Sequence, residues 1–327
     1  DDHYDGTTNA VYASGSIWKC DLDGTNLEKF LNIQDFPITG NMPALAAWDG
    51  SRGTGQSLSA SASEARIDVG HTDSWIANVG TNAPKPRLVT VCAWVKFNAA
   101  AQHNTYPRFF TVGDTNFAIY YNRGVSPDSI AIYQKYGTSH KDRYWYSTSG
   151  GAIADDTWTH IAVTFNPGTT YANRSSPTFY INGSAVGNVV QSSNNTPSSG
   201  DVPNYDIGDS SEDRMIIGND ANFYDNADTW GREYSGNMSN LVIYNDILTA
   251  TEISNIYNGG EVLDPRTIRE EDLFAYWPMD DGVANVNDLG PHSLNGTATS
   301  WANDSNAPAH DREGGWTTSN AAAVNRT

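Results

Sequence analysis

Apolar and polar residues alternate with a period of two through most of residues 57–260. In the segment VTVCAWVKF, residues 89–97, Val89, Val91 and Val95 fall on one face and polar or aromatic residues fall on the other. A period of two is the repeat of a β-strand, in which successive side chains point to opposite faces. The pattern predicts a chain built from strands and excludes a bundle of amphipathic helices.

Further segments of the same kind follow, separated by clusters of Gly, Asn, Asp or Pro that favour turns. They lie at residues 108–112, 117–121, 129–133, 143–147, 157–165, 178–181, 214–218 and 240–244. About nine short strands at this spacing predict an all-β fold, with two antiparallel sheets packed as a jelly-roll sandwich.

The sequence also predicts one short helix. Thr249 and Glu252 have the spacing of a capping box, in which each side chain bonds the other residue's backbone. Ile253 and Ile256 then form an apolar stripe, and the glycine at Gly259 favours the end of the helix.

The charge of the chain limits its partners. There are 38 acidic residues against 19 basic ones, and the net charge is −19. Nucleic-acid recognition requires clustered cations, so this balance argues against a nucleic-acid partner. No stretch approaches the roughly 20 consecutive apolar residues that cross a bilayer, which argues against membrane insertion.

Five segments carry a family resemblance, and they occur at residues 89–97, 155–165, 179–187, 215–220 and 234–260. Together they resemble a laminin G-like domain of the concanavalin A-like lectin/glucanase superfamily. The resemblance implies the two-sheet sandwich and a location outside the cell, at the cell surface or on a virion. It does not select a function, because unrelated functions share this fold.

The resemblance divides the chain into four parts. Residues 1–56 form an N-terminal extension with a predicted β-hairpin in SIWKCDLDGTNLEKFL. Residues 57–260 form the laminin G-like domain, residues 261–298 a C-terminal segment and residues 299–327 a polar tail.

The segment LFAYWPMDDGVANVNDLGPHSLNGTA, residues 273–298, resembles the opening strand of such domains, although here it follows the domain. It could pack in cis, begin a second domain, or dock into a neighbouring molecule by strand addition. For the third case, Phe274, Tyr276 and Trp277 are the predicted assembly residues.

An acidic stretch between residues 201 and 228 indicates a calcium site. Calcium takes six to eight hard oxygen ligands, commonly from short side chains on loops. The ligands predicted first are Asp220, Asn222, Asp225 and Asp228. The alternative is an acidic, solvated loop that contributes only charge and solubility.

Aromatic residues near this stretch are candidates for sugar binding, since a pyranose offers an apolar face to an aromatic ring. The predicted ligand-binding residues are Phe223, Tyr224 and Trp230 in the acidic stretch, and Trp145 and Tyr146 in a strand. Because consecutive strand residues face opposite ways, at least one residue of 144–146 is expected in the core.

Motifs for catalysis are weak. The chain has no E-x-D-x-E strand, no G-x-S-x-G elbow and no H-E-x-x-H helix. Gln134, Tyr136, His140 and Arg143 could be arranged as in a polysaccharide lyase, but their order and spacing do not match. His160 is expected to be a structural histidine with a satisfied hydrogen bond.

These features predict a non-catalytic extracellular module that binds carbohydrate or glycoprotein with the help of calcium. The second hypothesis is a structural subunit of a surface fibre or virion that self-associates by strand addition. A polysaccharide lyase is the third.

Overall fold

The structure is a computed structural model that describes most of the chain beyond residue 57 and four short strands before it. The described residues are 3–4, 11–12, 16–19, 28–32, 57–60, 65–75, 88–102, 104–113, 116–137, 141–204, 214–220, 232–279, 286–304 and 309–310. The chain separates into two compact units, Asp1–Asp49 and Gly50–Thr327.

The first unit contains two antiparallel strand pairs. β1 (His3–Tyr4) pairs with β2 (Val11–Tyr12), and β3 (Ser16–Lys19) pairs with β4 (Glu28–Asn32). The second pair lies where the sequence predicts a hairpin.

The second unit holds the remaining strands. They are β5 (Ser57–Ala60), β6 (Arg66–His71), β7 (Val89–Phe97), β8 (Arg108–Val112), β9 (Phe117–Asn122), β10 (Ser129–Tyr136), β11 (Lys141–Ser149), β12 (Trp158–Phe165), β13 (Thr178–Ile181), β14 (Ser184–Ala185), β15 (Gly187–Ser192), β16 (Arg214–Ile217), β17 (Gly236–Tyr244), β18 (Glu261–Val262), β19 (Leu273–Trp277), β20 (Thr297–Thr299), β21 (Trp301–Asp304) and β22 (Ala309–His310). The helices are α1 (Thr72–Trp75), which is a single turn, and α2 (Ala250–Tyr257), with short 3-10 turns at Tyr171–Asn173, Asn258–Gly260, Pro265–Thr267 and Glu270–Asp272.

Apart from β18 and β22, which form a separate two-stranded parallel sheet, these strands form two large sheets. The first sheet has the order β15-β11-β10-β9-β8-β16-β6-β20. The second has the order β14-β13-β12-β7-β17-β5-β21, with β19 paired to the same edge of β17 as β5. All of these pairings are antiparallel. The prediction of a two-sheet antiparallel sandwich is confirmed.

The main core lies between the two sheets and consists of side chains from one face of each sheet. On β7, Val89, Val91 and Val95 point into it. The other face of β7 is buried as well, because Cys92 belongs to a second apolar cluster with Ile253 and Ile256 of α2. The central strand is thus covered on both sides, which explains why its sequence is apolar almost throughout.

The helix α2 begins and ends where the sequence predicts. The Thr249 hydroxyl accepts from the Glu252 backbone N–H at 3.2 Å, and the Glu252 carboxylate accepts from the Thr249 backbone N–H at 2.7 Å. Asn258 takes the left-handed conformation with φ 48°, and Gly259 follows with φ 66°. The capping box is confirmed, and an asparagine makes the first left-handed turn after the helix.

The strand β19 pairs in cis with β17. Phe274 and Trp277 belong to the main core, and Tyr276 belongs to the second cluster. The Tyr276 hydroxyl donates to the Asn240 side-chain oxygen at 2.6 Å. Their own chain covers all three side chains, so in this arrangement they cannot form an assembly surface. In this cis arrangement the three side chains have a role in packing, and the assembly role predicted for strand addition stays a prediction.

His160 lies on β12 beneath α2. Its ring centroid is 5.4 Å from that of Trp94 and 6.0 Å from that of Tyr257, and the residue is 1% exposed. Within the described residues neither ring nitrogen has a hydrogen-bond partner. The predicted structural histidine is therefore buried without the expected hydrogen bond. Burial lowers the pKa of His160 to about 3.

This burial predicts an acid-sensitive contribution to stability. The folded state holds His160 neutral, whereas the unfolded chain protonates it below its ordinary pKa of about 6.5. Its contribution is complete above that pH and is lost as the pH falls from about 6.5 towards 3. Between pH 7 and pH 4.5 we expect wild type to lose about 2–3 kcal/mol more unfolding free energy than His160→Phe.

Urea denaturation of both proteins at the two pH values measures this difference. The phenylalanine variant keeps every other titrating group. The unfolding free energy that this variant loses between the two pH values is therefore the reference. Equal losses in the two proteins would contradict the neutral, buried state of His160.

Candidate functional site

One face of the first sheet points away from the core and carries four tyrosines. Along β9, β10 and β11, alternation directs Ile119, Ile132 and Trp145 into the core. The residues between them, which we call the tyrosine face, are Tyr120, Tyr133, Tyr144 and Tyr146. The rings of Tyr144 and Tyr146 stack with centroids 6.4 Å apart and an interplanar angle of 20°.

The register places an arginine in line with these rings. Arg108 on β8 lies opposite Tyr120, Tyr120 lies opposite Ala131, and Ala131 lies opposite Tyr146. Because neighbouring strands are about 4.8 Å apart, this row spans about 14 Å from Arg108 to Tyr146. An irregularity in β8 directly after Arg108 lets Phe109 and Phe110 both enter the core while Arg108 stays on the outer face.

Tyr133 is held by a carboxylate. Its hydroxyl donates to Asp142 Oδ2 at 3.2 Å, and Asp142 also accepts from the backbone N–H and the side-chain amide of Asn194, at 2.7 and 2.9 Å. Burial and the nearby charge of Asp142 raise the pKa of Tyr133. The phenol therefore stays protonated at neutral pH, and its ring is fixed in place.

Three charged side chains lie beside the tyrosine face at the end nearest β8. Asp220 Oδ2 lies 3.5 Å from Arg108 Nε and 3.7 Å from Arg232 Nε. We call Arg108, Arg232 and Asp220 the arginine cluster. The Arg108 guanidinium sits 4.6 Å from the ring centroid of Tyr120, and the Arg232 guanidinium sits 5.6 Å from that of Tyr106.

The predicted calcium ligands separate into two groups. Asp220 is 2% exposed and ion-paired with two arginines, a setting that disfavours a further cation. This setting counts against its predicted role as a metal ligand. Asn222, Asp225 and Asp228 lie outside the described residues. Within the described part of the chain no group of three or more His, Cys, Asp or Glu could hold a metal ion.

The predicted ligand-binding residues separate in the same way. Tyr146 lies on the tyrosine face. Trp145 is fully buried in the core, where its ring contacts Phe165 at a centroid distance of 5.0 Å. Its assignment to ligand binding is corrected, because its side of β11 faces the second sheet. Phe223, Tyr224 and Trp230 lie outside the described residues.

The described residues among those considered for a lyase do not come together on the outer face. Gln134 and Tyr136 are fully buried, and the Tyr136 ring belongs to the core. The Arg143 guanidinium donates to the Tyr171 hydroxyl. His140 lies outside the described residues.

Sequence reasoning missed Tyr120, Tyr133, Arg108 and Arg232. Alternation in the strands FAIYYN and SIAIYQKY could have identified the two tyrosines as neighbours on one face. Nothing comparable in the sequence identifies Arg108, because its orientation depends on the irregularity that follows it in β8.

None of the described helices is long and apolar enough to cross a membrane.

Comparisons with solved structures find the following similarities. A Bacteroides ovatus protein for which carbohydrate binding has been proposed is 16% identical, with a TM-score of 0.49, over 78% of this chain and 61% of that one. A heptameric SAP-like pentraxin from Limulus polyphemus is 15% identical, with a TM-score of 0.38, over 63% of this chain and 82% of that one. Domain 4 of an extracellular arabinanase from Geobacillus stearothermophilus, solved with arabinotriose, is 17% identical, with a TM-score of 0.32, over 54% of this chain and 68% of that one.

The chain thus spans 61% of the length of the first of these proteins. No curated protein matches the chain in sequence. A family model of the laminin G type, described as the concanavalin A-like lectin/glucanases superfamily, matches residues 70–254, which is more than half of the 327 residues. The family resemblance seen in the sequence is confirmed, and the chain belongs to the laminin G-like group of the concanavalin A-like lectin/glucanases superfamily.

Proposed function

We propose that this chain is a non-catalytic recognition module that binds carbohydrate through the tyrosine face. The observation that carries the proposal is the stacked pair of Tyr144 and Tyr146 beside Tyr120 and Tyr133. A pyranose ring has an apolar face that packs on an aromatic ring, while phenol hydroxyls bond its hydroxyl groups. Glycans built from pyranose sugars are found mainly outside cells. The proposed setting is therefore extracellular, with a free glycan or a glycoprotein as the ligand.

Among the described residues, the carboxylates near this face are held in hydrogen bonds and ion pairs, which supports binding rather than hydrolysis. Asp142 accepts hydrogen bonds from Tyr133 and Asn194, and Asp68 forms a two-point ion pair with Arg214. Asp220 lies between two arginines. A glycosidase instead needs one carboxyl group free to protonate the leaving oxygen and a second to attack or to activate water.

Binding to a panel of immobilised neutral and acidic oligosaccharides tests the proposal. For any oligosaccharide bound by wild type, we expect the double variant Tyr144→Ala/Tyr146→Ala to weaken binding by about tenfold or more, because it removes both stacked rings. Tyr146→Phe keeps the ring and should weaken binding less than Tyr146→Ala. Val202→Ala, which changes an exposed side chain that is not one of the four tyrosines, is the control.

Circular dichroism and thermal melting of each variant show whether it is folded. Undiminished binding by the folded double variant would contradict the proposal. Absence of any bound oligosaccharide in the panel would also count against it.

The proposal includes calcium, with Asn222, Asp225 and Asp228 as the remaining ligand candidates. Hard carboxylate and amide oxygens are suitable calcium ligands, and an ion bound only by the folded state raises the melting temperature. We expect millimolar calcium to raise the melting temperature of wild type and to have a smaller effect on Asp225→Asn/Asp228→Asn. Equal shifts in the two proteins, or no shift in either, would remove calcium from the proposal.

A further inference from the structure

Two arginines meet one tyrosine ring at the edge of the sandwich where β15 is the outermost strand of the first sheet. Arg143 lies on the same side of β11 as Trp145, and Gln191 of β15 lies opposite Trp145. Arg174 follows the 3-10 turn that contains Tyr171. The guanidinium carbons of Arg143 and Arg174 lie 5.2 and 3.6 Å from the centroid of the Tyr171 ring. We call Arg143, Tyr171, Arg174 and Gln191 the Tyr171 cluster.

The Tyr171 cluster has more hydrogen-bond donors than acceptors. The Tyr171 hydroxyl accepts from Arg143 Nε and, at 3.1 Å, from Gln191 Nε2. Arg174 donates to the Tyr171 carbonyl and, at 3.2 Å, to Gln191 Oε1. A guanidinium carries five N–H donors and a phenol carries one, so most donors of the cluster have no acceptor among the described residues. They include the hydroxyl proton of Tyr171, a residue that is only 8% exposed.

The two arginines of the cluster also lack an opposite charge. Neither forms an ion pair with a carboxylate in the described part of the chain. Asp142 points to the other side of β11, where it accepts from Tyr133. Asp201 pairs with Lys141 at 2.7 Å. Both arginines are partly exposed, so a chain of net charge −19 holds two accessible positive charges side by side.

The arrangement of the two guanidinium groups matches a phosphate group in shape and in charge. Arg174 lies over the face of the Tyr171 ring, whereas Arg143 bonds the hydroxyl at its edge, so their donors approach from different directions. A tetrahedral phosphate has oxygens in several directions, whereas the two oxygens of a carboxylate share one plane. A phosphomonoester carries a charge of about −1.5 to −2 at pH 7, which balances two arginines.

We propose that the Tyr171 cluster binds a dianionic phosphate group, as carried by a sugar phosphate. Arg143 and Arg174 donate to the phosphate oxygens, and the Tyr171 hydroxyl adds a further donor. Charge-assisted hydrogen bonds from guanidinium groups to phosphate are among the strongest in proteins. The site goes beyond the proposed function, because Arg143 lies on the side of β11 that faces away from Tyr144 and Tyr146.

Isothermal titration calorimetry at pH 7.5 and pH 5.0 tests the class of ligand. The probes are glucose 6-phosphate, glucose 6-sulfate, glucose and inorganic phosphate. A phosphomonoester loses its second proton near a pH of about 6, whereas the sulfate ester keeps a single charge at both pH values. The affinity for the sulfate ester therefore reports any change in the protein itself.

We expect glucose 6-phosphate to bind about fivefold or more tightly at pH 7.5 than at pH 5.0, because only the dianion matches both arginines. At pH 7.5 it should also bind more tightly than glucose 6-sulfate and glucose. Binding of inorganic phosphate at pH 7.5 supports the site as well. If it equals glucose 6-phosphate in affinity, the phosphate group is the whole ligand, and if it binds more weakly, the ligand is a sugar phosphate.

Four variants assign the phosphate to the Tyr171 cluster. Arg143→Gln and Arg174→Gln each remove one positive charge and should weaken the binding of glucose 6-phosphate about tenfold or more. Tyr171→Phe keeps the ring and removes only the hydroxyl, so it should weaken binding less. Arg266→Gln is the matched control, because Arg266 also lies near a tyrosine ring but is paired with Asp264. It should leave the affinity unchanged.

The outcomes are independent of the tyrosine face, because glucose measures binding by the sugar alone. Equal affinities for glucose 6-phosphate and glucose 6-sulfate at pH 7.5, or for glucose 6-phosphate and glucose, would overturn the phosphate site and leave the proposed function standing. A loss in Arg266→Gln as large as in Arg174→Gln would also overturn it. Circular dichroism shows which variants are folded. If a glutamine variant is unfolded, Tyr171→Phe and the comparison of probes on wild type decide the question.

Discussion

Replacing Trp277 with alanine should lower the free energy of unfolding by about 4 kcal/mol. Trp277 is fully buried in the main core, with its ring centroid 6.5 Å from that of Phe110. Its indole Nε1 also donates to the Leu294 carbonyl at 2.7 Å. The substitution removes a large apolar surface and leaves that carbonyl without this donor. Urea denaturation followed by circular dichroism at pH 7 measures the loss.

The same experiment tests whether β19 packs in cis. Trp277→Phe keeps most of the apolar contact and should cost less than half as much as the alanine variant. For a strand bound within its own chain, the denaturation midpoint does not depend on protein concentration. A midpoint that rises with concentration, or a loss below about 1 kcal/mol for Trp277→Ala, would contradict the cis arrangement.

Gly236→Ala should destabilise the domain by more than about 3 kcal/mol. Gly236 has φ 140°, a conformation that L-residues with a side chain rarely adopt. A Cβ atom there would lie 2.1 Å from the Lys96 carbonyl oxygen and 2.9 Å from the Tyr234 hydroxyl. Lys96 belongs to β7, so its carbonyl cannot move away without disturbing the pairing of β7 with β17.

Gly187→Ala is the matched control. Gly187 is exposed on β15, and nothing lies within 4 Å of the position that its Cβ would take. Its unfolding free energy should stay within about 0.5 kcal/mol of wild type. Thermal or urea unfolding compares the two variants directly. Similar unfolding free energies for both would refute the close approach of position 236 to the Lys96 carbonyl oxygen.

Much of the fold could be predicted because the patterns that indicate strands and helix caps involve residues only a few positions apart. The strands at residues 108–112 and 178–181 have the predicted bounds, and the capping box of Thr249 and Glu252 is present. Short edge strands such as β15 and β20 were not predicted. In them few consecutive residues are buried, so the alternation that identifies a strand is weak.

The candidate site could be predicted less well. Tyr146 was identified, but Trp145 was assigned to the ligand although it belongs to the core. Alternation requires that these two neighbours face opposite ways, but it does not say which of them points inward. That depends on the register with β10, which places Trp145 opposite the core residue Ile132.

The sequence by itself determined the strands, the helix and its cap, because hydrophobic period and capping depend on residues a few positions apart. Only the tertiary structure decided which tyrosines share an outer face, that β19 returns to β17 in cis, and that Arg108 meets Asp220. These contacts join residues distant in sequence. Their formation depends on register and on an irregularity within a strand, and neither leaves a repeating pattern in the chain.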